Sequence, residues 1–156
     1  MKNIITFKNP PITEAVLDIR VNLPKDIDVR QLESFQEGIE KEFPIKKVNT
    51  QWETSFKLKV GETPQVNSKS DPNGYVFTSP DKKKIVQARM DGFTFNKLKP
   101  YDNWDFFSKE AKKLWEKYIK IARPIGITRV ALRYINLIEL PRPAGDFKEY
   151  FLTGPE

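Results

Sequence analysis

From Thr13 to Val21 the chain alternates: Ala15, Leu17, Ile19 and Val21 share one side, and Glu14, Val16, Asp18 and Arg20 share the other. A period of two marks a strand buried on one face, and Leu23-Pro24 ends it because proline cannot donate to a ladder. The spacing then changes to three and four. Val29, Leu32, Phe35, Ile39 and Phe43 fall on one side of an expected helix, capped by Asp26 or Asp28 and closed by Pro44. Glu33, Glu37, Glu40 and Glu42 make its outer face acidic.

Strand-like spacing returns from Ile45 to Val60, with Val48, Trp52, Phe56, Leu58 and Val60 as anchors. The stretch 61–74, GETPQVNSKSDPNG, is polar and rich in turn residues, and is expected to be a mobile loop. Tyr75–Thr78 and Ile85–Met90 follow as strands joined by SPDKKK, a turn with a basic tip. Asp91-Gly92 signals a second hairpin into Phe93-Thr94-Phe95. The clearest helix begins at Asp102 or Asn103, carries Phe107, Ala111, Leu114, Tyr118 and Ile121 as its apolar stripe, and ends at Pro124 and Gly126. Trp104 and Trp115 flank that stripe, and Lys109, Lys112, Lys113, Lys117 and Lys120 cover the rest. A long strand from Ile127 to Leu140 runs to Pro141, and a short turn or helix is expected around Asp146–Leu152.

This order predicts an α+β fold, a mostly antiparallel β-sheet with two α-helices packed on one face. Residues 1–156 contain no repeat or linker and are expected to form one domain. The charged share of 31% is ordinary for a globular chain, and 11 Phe, 5 Tyr and 3 Trp supply bulky core material, so disorder is not expected.

Cysteine and histidine are both absent, which excludes disulfides, thiolate chemistry and the usual serine triad, and removes the commonest zinc ligand. No glycine-rich phosphate loop or nucleophile elbow is present. MKNIITFKNPP lacks the apolar run of a signal peptide, and no stretch is long and apolar enough to span a membrane, so a soluble, cytoplasmic protein is expected. The net charge of +6 and a pI near 9.4 favour polyanions in general, whether nucleic acid, acidic protein or phospholipid, although solubility alone explains such a balance.

Two sets of residues bear on function. The first is a charged strand face: Glu14, Asp18 and Arg20 on the first strand, and Arg129, Arg133 and Glu139 at matching parity on the last. Lys57, Lys59 and Arg89 lie on further strands. Enclosed, such a face would suit a divalent metal and a phosphorylated ligand, as in tunnel-type triphosphate hydrolases. An open antiparallel sheet, however, carries charge on its wet face as a matter of course, and the tight acid alternation of those enzymes is missing. The second set is basic and aromatic: Lys82, Lys83 and Lys84 at the hairpin tip, Lys97, Lys99 and Tyr101 beyond it, and Lys113 and Lys117 on the second helix. There lysines would engage phosphates while Tyr101 or Trp104 stacked on a base. The competing expectation has both aromatics stapling the helix entry into the core. Asn136, on the side of Leu132, Tyr134 and Ile138, is expected to be a buried amide.

Several segments together carry a resemblance: Asn9-Pro10-Pro11-Ile12 with Glu14-Ala15, Gly92-Phe93-Thr94-Phe95, Lys99-Pro100-Tyr101 with Trp104, and Arg133-Tyr134-Ile135-Asn136 with Glu139-Leu140-Pro141. The chain resembles the N-terminal portion of a sporadically distributed family of uncharacterised prokaryotic proteins, whose members are usually longer. The resemblance implies no established activity and no functional residues to carry over, and its patchy occurrence implies an accessory or mobile system. Taken together, the residues favour a non-catalytic binding domain without a cofactor or metal, whose partner is a protein, a second copy or nucleic acid. Sheet-edge strands and the polar loop are the expected pairing sites. The alternatives are a nucleic-acid-binding domain using the basic hairpin and helix, and a metal-dependent phosphate-ester or triphosphate hydrolase.

Overall fold

A computed structural model describes residues 10–57, 65–140, 146 and 148, with the side chains of 52–57 and 65–69 outside that description. Six strands form one antiparallel sheet: β1 (Ile12–Asn22), β2 (Ile45–Lys57), β3 (Gln65–Thr78), β4 (Lys84–Arg89), β5 (Gly92–Leu98) and β6 (Gly126–Asn136). Their order in the sheet is β2-β3-β4-β5-β1-β6, so β2 and β6 are the edges and the first strand is interior, next to β6. A 3-10 helix, Val29–Gln36, packs on β3 and β4, and one α-helix, α1 (Trp104–Ala122), packs beside it on the same face over β5. The expected α+β architecture is therefore the observed one.

Burial explains the arrangement. Ala15, Ile19 and Val21 of β1 point into the core with Phe77, Val86, Phe93 and Phe95 from the other strands. Phe35, Leu114 and Tyr118 close over them from the helical side. Phe93 has the rings of Trp115 and Tyr118 at 5.6 and 5.8 Å, and Phe95 stacks on Phe107 at 5.3 Å, which fixes α1 to β5. Asn103 caps α1 by accepting from the Phe106 amide, and Arg123 in a left-handed conformation ends it just before Pro124.

Three sequence expectations change. The first helix is a short 3-10 helix, because Val29, Leu32 and Phe35 recur at steps of three, the 3-10 period. Gly38 at φ +78° turns the chain beyond it, so Ile39 and Phe43 reach the core through turns. The proposed loop 61–74 is strand from Gln65 onward; its first residues, like Leu58, Val60 and Lys59, lie outside the described residues. β3 pairs with β4 only over Gly74–Thr78, and before that it pairs with β2 alone. The last strand stops at Asn136, not Leu140, and Asn136 is exposed there rather than buried, because among the described residues no element covers β6. The turn expected at 146–152 lies, apart from Asp146 and Lys148, outside the described residues. No helix among the described residues is long and apolar enough to cross a membrane.

Candidate functional site

On the face opposite the helices, Asp18 sits 5% exposed midway along β1, between β5 and β6. Its position follows from register: Thr94 of β5 lies directly opposite on one side and Ala131 of β6 on the other. One carboxylate oxygen accepts from Thr94 at 2.8 Å and Arg89 at 3.0 Å, and the other from Arg129 at 2.5 Å and Arg20 at 3.2 Å. Burial alone would raise the Asp18 pKa. The bonds from Arg129, Thr94 and Arg89 and the charge of Arg20 outweigh it and hold the group well below the usual carboxylate range. Asp91, at the β4–β5 turn, accepts from Arg20, from Arg89 at 3.1 Å and from Asn73 at 3.2 Å. The sequence therefore placed Asp18, Arg20 and Arg129 correctly on one face, and Arg89 joins them. Glu14 does not: it accepts from Asn96 at 2.6 Å further along the strand. Arg133 is exposed two residues beyond Ala131 and makes no ion pair among the described residues, and Glu139 lies past the end of β6. Asp91 and Thr94 were missed as members because each read as a turn or strand residue only.

The basic set is divided. Lys84, Lys97 and Lys113 line one hollow of about 600 Å³ beside α1, together with Glu42, Asp102 and Glu110. Two of these lysines are already engaged. Lys84 bonds Glu42 at 3.0 Å and Glu110 at 2.5 Å, and Lys97 bonds Asp102. Lys117 donates to the Glu37 carbonyl and lies 5.9 Å from the Phe35 ring centre, so it joins the two helical segments. Lys82 and Lys83 stand at the hairpin tip without ion pairs among the described residues, and Lys99 is exposed beside Pro100. The Tyr101 hydroxyl shares a 3.1 Å hydrogen bond with that of Tyr134, and its ring packs on Phe107 and Tyr134. Trp104 is half-exposed at the start of α1. These groups do not converge on one surface that would follow a phosphate backbone.

The largest departure from a closed domain is β6. Of the twelve large apolar side chains exposed among the described residues, eight lie between Ile125 and Ile138. The outward backbone of β6 pairs with no further strand among the described residues. On the helix side, Val130, Leu132 and Tyr134 lie opposite Ile19, Leu17 and Ala15 of β1. There they continue a groove of about 460 Å³ floored by Leu17 and Ile19 and walled by Trp104, Ala111 and Trp115 of α1. Lys109 and Lys112 line the same groove. The opposite edge is different: β2 presents Lys46, Lys47, Asn49, Thr50 and Gln51, the polar, lysine-bearing edge that resists pairing. Sequence alone could not separate these cases. The sequence shows an apolar side and an arginine-bearing side on β6, as any half-buried strand would have, and only the strand order reveals it as an edge.

Among the described residues no three acidic groups are placed to hold a metal ion. No protein-family model, curated protein or solved structure matches the chain.

Proposed function

We propose that this domain is a non-catalytic binding module that takes a protein partner along β6, as a strand added to the sheet. The observation that carries this reading is the concentration of exposed apolar side chains on a strand whose outer edge is unpaired among the described residues, next to an apolar groove. An added strand would satisfy the free amides and carbonyls of β6 while its alternate side chains covered Val130 and Leu132. Soluble domains rarely leave such an edge bare, since it templates aggregation. The saturation of Asp18 supports the non-catalytic part. Each of its oxygens already accepts two hydrogen bonds, so the most buried acid has no capacity left to move a proton or bind a metal.

The test is site-specific photo-crosslinking from Ala131 on β6 and, as a control, from Asn49 on β2, in cells of the source organism. The expected result is one protein captured from Ala131 alone, which after purification binds the wild-type domain and fails to bind Leu132→Lys. Equal binding to both, or no capture from Ala131, would reject the β6 reading.

A further inference from the structure

Resting on that reading, we infer that the strand β6 accepts alternates apolar and acidic side chains. The register of β6 gives its two faces different chemistry. Val130, Leu132 and Tyr134 face the helix side, whereas Arg129 and Arg133 face the open side with Ala131 between them. Residues paired across an antiparallel ladder share a face. The incoming strand must therefore set apolar side chains against Val130 and Leu132 and anions against the arginines.

Arg129 is held for this role. One of its terminal nitrogens is bonded to Asp18, while its side chain remains 51% exposed. A guanidinium has five donors in a fixed fork, so a second carboxylate can still bind. Arg133 has no ion-pair partner among the described residues. On the helix side, Lys109 makes no ion pair among the described residues, and Lys112 has only Glu116 at 3.9 Å. Cations thus flank the apolar row on both sides of the sheet, while of the acids beside it among the described residues Asp18 is held by three arginines, Glu14 accepts from Asn96 and Glu116 lies 3.9 Å from Lys112.

A second copy fits less well. Antiparallel self-pairing centred on Ala131 sets Arg129 against Arg133 twice, and each copy carries a net charge of +6. The other edge of a second copy brings Lys46 and Lys47. A nucleic acid would neutralise the arginines but leave Val130, Leu132, Ile135 and the free backbone groups uncovered.

Three fluorescein-labelled peptides of eleven residues, the length of β6, test the inference. All alternate valine with a second residue, which is Glu, Gln or Lys, and binding is followed by anisotropy and by hydrogen exchange of β6 amides. The Glu peptide should bind about tenfold more tightly than the Gln peptide, from two cross-strand charge pairs at a partly desolvated edge, and the Lys peptide more weakly still. Arg133→Glu, an exposed change that leaves the Asp18 cluster intact, sets an anion beside Arg129 and should largely abolish the difference between the Glu and Lys peptides. Equal binding of all three overturns the acidic preference and leaves β6 docking standing. No binding and no protection of β6 by any peptide overturns both. A wild-type dimer that protects β6 in light scattering and exchange, or displacement of the Glu peptide by a mixed-sequence oligonucleotide, overturns the acidic-strand assignment.

Discussion

The Tyr118 hydroxyl donates to the Arg89 carbonyl oxygen at 2.7 Å, from the helix side of the sheet, while the Arg89 guanidinium reaches Asp18 on the open side. One residue of β4 is thereby held from both faces. Burial also pushes the Tyr118 phenol well above the ordinary tyrosine range. Tyr118→Phe keeps the ring packing on Phe93 and Trp115 and removes only the hydrogen bond, so it should cost about 1 kcal/mol in urea unfolding. Because the folded pKa is raised, wild-type stability from this group is complete below about pH 10 and declines as pH rises beyond it. The Phe variant should lack that alkaline component.

Asp18 predicts the opposite limb. Its folded pKa is depressed, so the stability it contributes is complete above the unfolded aspartate value of about 3.9 and is lost as pH falls below it. Asp18→Asn leaves three guanidinium groups without their shared carboxylate and should cost about 3 kcal/mol at neutral pH. The gap between wild type and variant should stay level from pH 8 down to about pH 5 and narrow below about pH 4. A gap that instead widened in acid would mean that Asp18 is not the charged centre of the cluster.

Gly92 makes a purely steric prediction. Its φ is +156°, and a Cβ there would lie 2.2 Å from the Ile19 carbonyl oxygen of β1. That oxygen belongs to backbone and has no room to retreat without parting β1 from β5. Gly92→Ala should therefore destabilise by about 2–4 kcal/mol. Gly126→Ala, where a Cβ meets nothing within 4 Å, should be near neutral. Thermal melts of the two variants compare them directly.

Much of this was legible in the sequence because burial imposes a period. The alternation of β1 located both its core face and the face that carries Asp18 and Arg20. The stripe Phe107, Ala111, Leu114 and Tyr118 located α1. What the pattern could not supply was pairing. Gln65–Asn73 looks like a loop because its residues are polar and turn-forming, and the apolar positions of β6 do not say which strands lie beside it. The candidate site depends on strand order, a long-range property. Asp91 shows the same limit: it signalled a turn, and only folding brings it against Arg20, Arg89 and Asn73.

The edge itself yields the last prediction. Val130 is 61% and Leu132 41% exposed, so replacing both with lysine removes little burial within the isolated domain. Unfolding free energy should change by no more than about 1 kcal/mol. Two lysines in the middle of an apolar edge are the device by which natural sheets discourage pairing. The double variant should therefore show less concentration-dependent light scattering than wild type, and its affinity for a β6 partner should fall about 100-fold, the loss of two apolar contacts. Val48→Lys, at a side chain 56% exposed on the β2 edge, controls for charge and should change neither reading. If Val48→Lys suppresses scattering as strongly as the β6 pair, net charge governs association and β6 has no special role.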